Sequence, residues 1–267
     1  MNYGFIGCGA MSGAILQGGI DSGFFNPSQT YVYEKNGALA KERADKFNVR
    51  LCKSETEVID QSESVIIGVK PIDLPNLLPY LGPYLAMHKT LAISIAGGIT
   101  LEKLNSLLGM EVATVRVMPN LNCGILQGAA AICANEFTTP SQKQEVLNLF
   151  NSIGMAIELE EKLFSPFTAI AGCAPAFVYL FADSLARGAV KLGMSKKQAL
   201  QVASAAIAGS ANNILVSKEH PWELIDRVCS PGGSTIEGVT HLLDNGFESA
   251  VIGAVVASAM KDKGMGK

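Results

Sequence analysis

The opening stretch of the chain constrains its fold more than any other. Tyr3-Gly4-Phe5-Ile6 is a short apolar run that breaks into closely spaced glycines, Gly7-Cys8-Gly9-Ala10-Met11-Ser12-Gly13, and continues with helical character through Ala14-Ile15-Leu16. After a turn at Asn26-Pro27, a second apolar run, Thr30-Tyr31-Val32-Tyr33, is closed by Glu34. Strand, glycine turn, helix, strand and terminal acid is the order of a dinucleotide-binding unit. In such a unit Gly7 allows the tight turn, and Gly9 lets the backbone approach a pyrophosphate whose charge rests on the helix N-terminus. Ser12 occupies the third glycine position, so the fingerprint is imperfect. Glycines in a chain with 27 of them often mark plain turns. The N-terminal placement and the distance to Glu34 favour the nucleotide site.

A chain of 267 residues, 48% hydrophobic and 17% charged, has enough apolar material for one large domain or two modest ones. Its net charge of −3 gives no reason to expect nucleic acid or an acidic membrane surface as a partner. Six cysteines are scattered without a CxxC pair, which points away from a zinc site or a disulfide framework and towards a reduced, cytoplasmic protein. Met1-Asn2 leads directly into the first strand, leaving no room for a signal peptide. The apolar stretch from Ser249 to Met260 is too short to span a bilayer and reads as a buried helix.

Two rhythms divide the chain. Up to about Leu163, β-rich runs alternate with helical segments such as Gly37–Phe47 and Leu101–Leu108. The strand candidates are Tyr3–Cys8, Thr30–Tyr33, Val49–Leu51, Ser64–Val69, Thr90–Ile95 and Val112–Val117, with Ala129–Cys133 and Ala156–Leu159 weaker. This alternation predicts a doubly wound, mostly parallel sheet over residues 1–163. Over residues 164–267 the pattern predicts only helices: Ala176–Leu192, Lys196–Val216, Pro221–Val228, Thr235–Asp244 and Phe247–Lys261, with a short frayed end after Lys261. Ala199–Ile214 and Ala250–Ala259 are apolar almost all round. Such helices are buried by something, either a single-chain alanine core or, the favoured reading, a second copy of the chain.

Ligands of an open parallel sheet bind beyond the carboxyl ends of its strands. Val69-Lys70-Pro71, Ala96-Gly97-Gly98 and Met118-Pro119-Asn120 each follow a strand candidate. One such loop is an ordinary turn; three of them after a glycine start favour a cofactor cleft. In the helical half, Cys229-Ser230-Pro231-Gly232-Gly233-Ser234-Thr235 combines two glycines with three hydroxyls at a helix start. It reads either as a nest for a carboxylate or phosphate or as a helix capped by Ser234 or Thr235. Acid–base candidates are few. His88 falls in a loop, His220 precedes Pro221 and His241 lies within a helix, none in an evident catalytic setting. Reduction of a C=O bond moves a proton as well as a hydride, whereas an iminium carbon is already electrophilic and its nitrogen keeps its proton. Missing acid–base residues therefore favour a C=N substrate.

Together these segments resemble the pyrroline-5-carboxylate reductases over essentially the whole chain. The resemblance rests on Phe5-Ile6-Gly7-Cys8-Gly9-Ala10-Met11, Val69-Lys70-Pro71, Ser94-Ile95-Ala96-Gly97-Gly98, Met118-Pro119-Asn120, Ala171-Gly172-Cys173-Ala174-Pro175-Ala176 and, most specific, Asp226 to Glu237. It implies a Rossmann domain followed by a helical domain that dimerises, sometimes within larger rings, and reduction of 1-pyrroline-5-carboxylate to L-proline with NADPH or NADH. It puts the dinucleotide on Ile6, Gly7, Cys8, Gly9, Ala10 and Met11, on Val69, Lys70 and Pro71, and on Ala96, Gly97 and Pro119, with Glu34 at the ribose. It puts the substrate carboxylate on Ser230, Gly233, Ser234 and Thr235, with Thr235 as the catalytic candidate, and it implies no metal. Three departures stand out: Cys173-Ala174 where Ser-Gly or Ser-Ser is usual, Leu121-Asn122-Cys123 where Thr-Pro-Ala is usual, and Ser12 where glycine or alanine is usual. The β-hydroxyacid dehydrogenases share the two-domain plan but use a lysine that Gly172–Tyr179 lacks. A non-catalytic dinucleotide sensor would not need the carboxylate nest.

Overall fold

The computed structural model describes residues 1–265. Strands and helices alternate as β1 (Tyr3–Ile6), α1 (Ala10–Asp21), β2 (Thr30–Tyr33), α2 (Gly37–Phe47), β3 (Arg50–Leu51), α3 (Glu55–Gln61), β4 (Ser64–Ile67), α4 (Leu74–His88), β5 (Leu91–Ser94), α5 (Leu101–Leu108) and β6 (Thr114–Met118). Then come β7 (Gly128–Ala134), α6 (Pro140–Ser152), β8 (Gly154–Glu158), α7 (Phe164–Phe167) and a π-helical turn, Thr168–Cys173. Helices complete the chain: α8 (Ala174–Lys191), α9 (Lys196–Ser217), α10 (Pro221–Val228), α11 (Ser234–Asp244) and α12 (Phe247–Met265). Contacts divide the chain into two compact units. One is Met1–Gly172 with the end of α12 from Ser258 on; the other is Cys173–Ala257. The first unit extends past the change of rhythm at Leu163 because Phe164, Phe167 and Ala171 pack on Ala131 of β7.

All eight expected strands join one sheet, ordered β3-β2-β1-β4-β5-β6-β7-β8. Every pairing is parallel except β6 with β7. The central strands are apolar without alternation because helices cover both faces. Phe5, Ile15, Leu16, Phe47 and Phe150 fill one face beneath α1, α2 and α6, while Ile67, Val58, Leu78, Leu85 and Leu104 fill the other beneath α3, α4 and α5.

Helix α4 is absent from the expected elements for a chemical reason. Pro75, Pro79 and Pro83 recur at four-residue intervals, and a proline inside a helix removes a hydrogen bond. That spacing also puts all three on one exposed face, where water solvates the freed carbonyls, while Leu74, Leu78, Leu81 and Leu85 form the buried stripe. His88, expected in a loop, ends this helix and pairs with Asp60 at 3.1 Å. At the other end of the chain, α12 runs past Lys261 to Met265 instead of fraying; residues 266–267 of the expected tail lie outside the described residues.

The strand order reverses between β1 and β4, and two glycines meet there. Gly7 has φ +87°, and a Cβ on it would stand 2.9 Å from the backbone of Gly68 and Val69. A Cβ on Gly68 would fall on the Ser12 hydroxyl. Ser12, on α1, takes the position where the dinucleotide fingerprint has its third glycine, whose purpose is close packing of helix on strand. Here Gly68 at the end of β4 supplies that room instead.

The helical unit buries little of itself. In α8 only Ala182 and Ala186 are buried, in α9 only Ala199 and Ala203, and in α10 and α11 none. Leu180, Val202, Leu215, Val216 and Ile252 are largely exposed in the single chain. By length and composition alone, Glu161–Lys191 and α9 are each long and apolar enough to cross a membrane.

Substituting Gly68→Ala should cost about 3 kcal/mol through overpacking. Adding Ser12→Gly should return part of that loss, because the hydroxyl is the principal obstacle. Urea unfolding of the two single variants and the pair measures the coupling; strictly additive losses would separate the two residues.

Candidate dinucleotide and anion sites

A cleft of about 590 Å³ opens at the carboxyl edge of the sheet, beside the point where strand order reverses. Ile6, Gly7, Gly9, Glu34, Val69 and Lys70, all named from the sequence, line it. Cys8, Ala10, Met11, Pro71, Ala96, Gly97 and Pro119 do not line this cleft. Cys8 is buried in the turn, Ala10 and Met11 open α1, Pro71 begins a short 3₁₀ turn, and the last three follow β5 and β6. Lys35 and Asn36, which follow Glu34 and could offset its repulsion of a 2′-phosphate, line the cleft as well, and so do Tyr33, Leu39, Glu55, Gly68, Asp73, Asn76 and Leu77, which the sequence pattern does not mark as ligands. A glycine closing the apolar run Ser64–Ile67 was the available signal for Gly68; Asp73, Asn76 and Leu77 were hidden with the proline-rich α4.

Glu34 does more than the sequence suggests. Its Oε2 accepts from the Cys8 N–H at 2.8 Å and its Oε1 from the Asn36 N–H at 3.0 Å. The acid therefore ties the end of β2 to the glycine turn. A carboxylate keeps further lone pairs after two such bonds, so a ribose hydroxyl is still within its capacity. The Cys8 N–H, in contrast, is already used.

Helix starts separate the candidate anion sites from structural ends. Starting from extended backbone, α2, α3, α5, α6, α9 and α10 are capped by the side chains of Asn36, Ser54, Thr100, Thr139, Ser195 and His220. Helices α1 and α11 also start from extended residues, but these are Gly9 and Gly233, and no side chain caps either start. The first N–H groups of a helix need acceptors. At α1 a Cβ on Gly9 would meet nothing within 4 Å, so an anion has open access to the turn. The glycine turn, the free helix start and the cleft fit a dinucleotide.

At α11 the reading of Ser234 or Thr235 as a helix cap does not hold. Ser234 and Thr235 are the first two helical residues and not the cap, so neither spends its hydroxyl on the helix end. Gly232 has φ +68°, turning the chain so that the Gly233 N–H donates to the Ser230 carbonyl at 2.9 Å. Ser230, Ser234 and Thr235 are exposed in the single chain. Arg227, just upstream, is engaged by Glu219 at 2.7 Å. His220 accepts from the Trp222 N–H as a cap, and His88 is taken by Asp60.

Near Gly98 lies a part-buried ion pair. Arg116 Nη1 meets Glu161 Oε1 at 2.7 Å, and the same oxygen accepts from the Leu101 N–H at the start of α5. The guanidinium stacks on Phe164 at 4.4 Å from the ring centre. The four cysteines of the sheet unit have thiols that their surroundings hold in the protonated form. Burial, reinforced by Glu34, pushes the Cys8 thiol up to about 12; burial, reinforced by Glu161, does the same for Cys133, and burial pushes Cys52 and Cys123 up to about 11. Among the described residues no cluster of side chains suits a metal ion.

An open sheet with a free glycine-led helix start at its switch point, in a chain that also carries a helical unit, defines a dinucleotide-dependent oxidoreductase of two-domain design. Residues 161–265 match the family profile for pyrroline-5-carboxylate reductase dimerisation, and residues 2–98 match that of the coenzyme F420-dependent NADP oxidoreductases. The chain is 36% identical over 264 residues to pyrroline-5-carboxylate reductase of Escherichia coli, covering 99% of this chain and 98% of that protein. Among solved structures, pyrroline carboxylate reductase of Plasmodium falciparum with NADP bound superposes with a TM-score of 0.89 at 32% identity, covering 100% of this chain and 98% of that one. The Streptococcus pyogenes enzyme gives 0.88 at 34%, covering 99% and 98%. The chain belongs to the pyrroline-5-carboxylate reductase family.

The raised thiols carry a pH consequence. A thiol whose folded pKa is raised keeps its proton in the native state after the unfolded chain has lost it. Its stabilisation is full below the ordinary thiol range, about 8.5, and is lost as pH climbs through the folded values. The melting temperature should fall progressively above about pH 9. At about pH 8, iodoacetamide should leave Cys8, Cys52, Cys123 and Cys133 unmodified in the native protein and label them on unfolding, as read by mass spectrometry.

Proposed function

We propose that this protein reduces 1-pyrroline-5-carboxylate to L-proline, the last step of proline biosynthesis, with NADPH or NADH. The observation that carries the reading is the pair of uncapped, glycine-led helix starts, one in each unit, in a chain of this family. Dinucleotide binding belongs to residues 1–163, and substrate binding with dimerisation to residues 164–267.

When bound, a reduced nicotinamide supplies the hydride. The chain's residues bind and orient. At α1 the glycine turn and the free N–H groups hold the pyrophosphate, with Val69, Lys70, Pro71, Ala96, Gly97 and Pro119 completing the dinucleotide site along the strand ends. At α11 the N–H groups of Ser234 and Thr235 and the hydroxyls of Ser230 and Thr235 hold the substrate carboxylate and so orient the ring carbon that is reduced, while Gly233 shapes the turn, its own N–H being spent on the Ser230 carbonyl. No acid–base residue is needed at that carbon, since the iminium nitrogen keeps its proton. The apolar faces of α8, α9 and α12, exposed in one chain, are covered by a second copy in a homodimer, the unit from which larger rings would build. The six free cysteines suit a reducing, cytoplasmic setting.

Purified protein should oxidise reduced nicotinamide in the presence of pyrroline-5-carboxylate and not with hydroxyacids, and the active species should elute at twice the chain mass without detergent. Activity confined to hydroxyacids would overturn the reading. Thr235→Ala should lower kcat/KM for the imine by about 1 to 3 kcal/mol, roughly fivefold to 150-fold, the cost of one lost hydroxyl contact once the second copy and the ligands cover the site. The dinucleotide KM should stay unchanged, because Thr235 is not in that unit. The reverse pattern would assign the nest to the other ligand.

Cofactor choice turns on Glu34. The cleft carries Glu34, Glu55 and Asp73 against Lys35 and Lys70, a balance that tolerates a ribose hydroxyl better than a 2′-phosphate. Both cofactors should support turnover, and Glu34→Ser should shift the kcat/KM ratio towards NADPH by roughly tenfold, since a unit charge beside a phosphate is worth at least about 1.4 kcal/mol at surface dielectric. An unchanged ratio would confine Glu34 to tethering the turn.

A further inference from the structure

Asn120 is buried at the end of β6, one residue beyond Pro119, and both ends of its carboxamide are used. Its Nδ2 donates to the Ala171 carbonyl at 2.9 Å, and its Oδ1 accepts from the Ala129 N–H of β7 at 3.2 Å. Ala171 belongs to the π-helical turn Thr168–Cys173. A π turn is a widened insertion in a helix and is often found at functional sites. A second contact joins the same two segments: a Cβ on Gly172 would stand 3.1 Å from the Met118 methyl. Met118-Pro119-Asn120 and Ala171-Gly172 are thus held together at the carboxyl edge of the sheet, where ligands of such sheets bind. The bond is specific to an amide. Donor and acceptor are both required, and neither a carboxylate nor an apolar side chain supplies both.

We propose that Asn120 is a positioning residue for the reduction, whose carboxamide holds the π-helical turn against the end of β6 in the arrangement that turnover requires. The proposal rests on the imine-reductase reading and deepens it. Asn120 contacts no reacting atom in this scheme; it acts through the backbone at Ala171, just ahead of Gly172-Cys173.

Asn120→Asp gives the test a signature that plain loss of packing lacks. A protonated carboxyl is an amide mimic that can donate to the Ala171 carbonyl, whereas the carboxylate cannot and is repelled by it. Burial against a carbonyl also raises the pKa of the introduced acid. The kcat/KM of Asn120→Asp relative to wild type should approach unity, within about threefold, at the acid end of the working range and fall by about tenfold or more at the alkaline end. Asn120→Ala should be low and flat across the same range. Should that variant fail to fold, Asn120→Leu supplies the flat control, and the Asp profile stands without either. Dinucleotide binding, read by fluorescence of the reduced nicotinamide, should stay within about twofold in Asn120→Asp at every pH, because the buried Asn120 carboxamide spends both ends on Ala171 and Ala129 and offers no atom to that ligand. A ratio near unity at all pH, a low ratio without pH dependence, or a parallel loss of dinucleotide affinity would each overturn the proposal. Wild-type protein inactive on pyrroline-5-carboxylate would overturn the functional reading itself, and an active wild type with an unaffected Asp variant would sink Asn120 alone.

Discussion

Everything at the carboxyl edge of the sheet depends on how closely two strand ends approach. Gly7 and Gly68 leave β1 and β4 side by side, and neither position has room for a methyl group. That approach keeps the turn after β1 tight, and the tight turn aims the start of α1 at the cleft. It also frees Ser12 to sit where a third glycine would stand. The requirement for a small residue has not been relaxed; it has moved across the contact from the helix to the neighbouring strand.

Glu34 secures the same turn from the other side. With one oxygen on the Cys8 N–H and the other on the Asn36 N–H, it braces β1 against β2. Asn36 in turn caps α2, which leaves α1 as the free helix start next to the cleft. Recognition and rigidity share one carboxylate here.

The sheet was legible in the sequence because its central strands, β1, β4, β5 and β6, are buried on both faces, so they stand out as apolar runs punctuated by glycine and proline. Even the two short candidates near Ala129 and Ala156 proved to be strands. Helix α4 was not legible, since a proline row on a wet face and a leucine stripe on a dry one send opposite signals. The cleft was half legible. Residues that advertise themselves by type, such as Gly9, Glu34 and Lys70, were found, whereas Asp73, Asn76 and Leu77 belong to it only because α4 begins there. The two readings of Ser234-Thr235 could not be separated by composition, because only the extended backbone of Gly233 shows that the hydroxyls lie inside the helix. Asn120 stood in a recognised loop, but its partners at Ala129 and Ala171 are brought together only by the fold.

A seam of four alanines is nearly all that α8 and α9 bury within one chain. Alanine burial contributes little per residue beside the entropy of ordering two long helices. In a unit built this way and closed by the proposed second copy, folding and self-association merge into a single equilibrium under mass action. Dilution then acts on the helical unit as a denaturant would, while the sheet unit, with two full cores of its own, is indifferent to it.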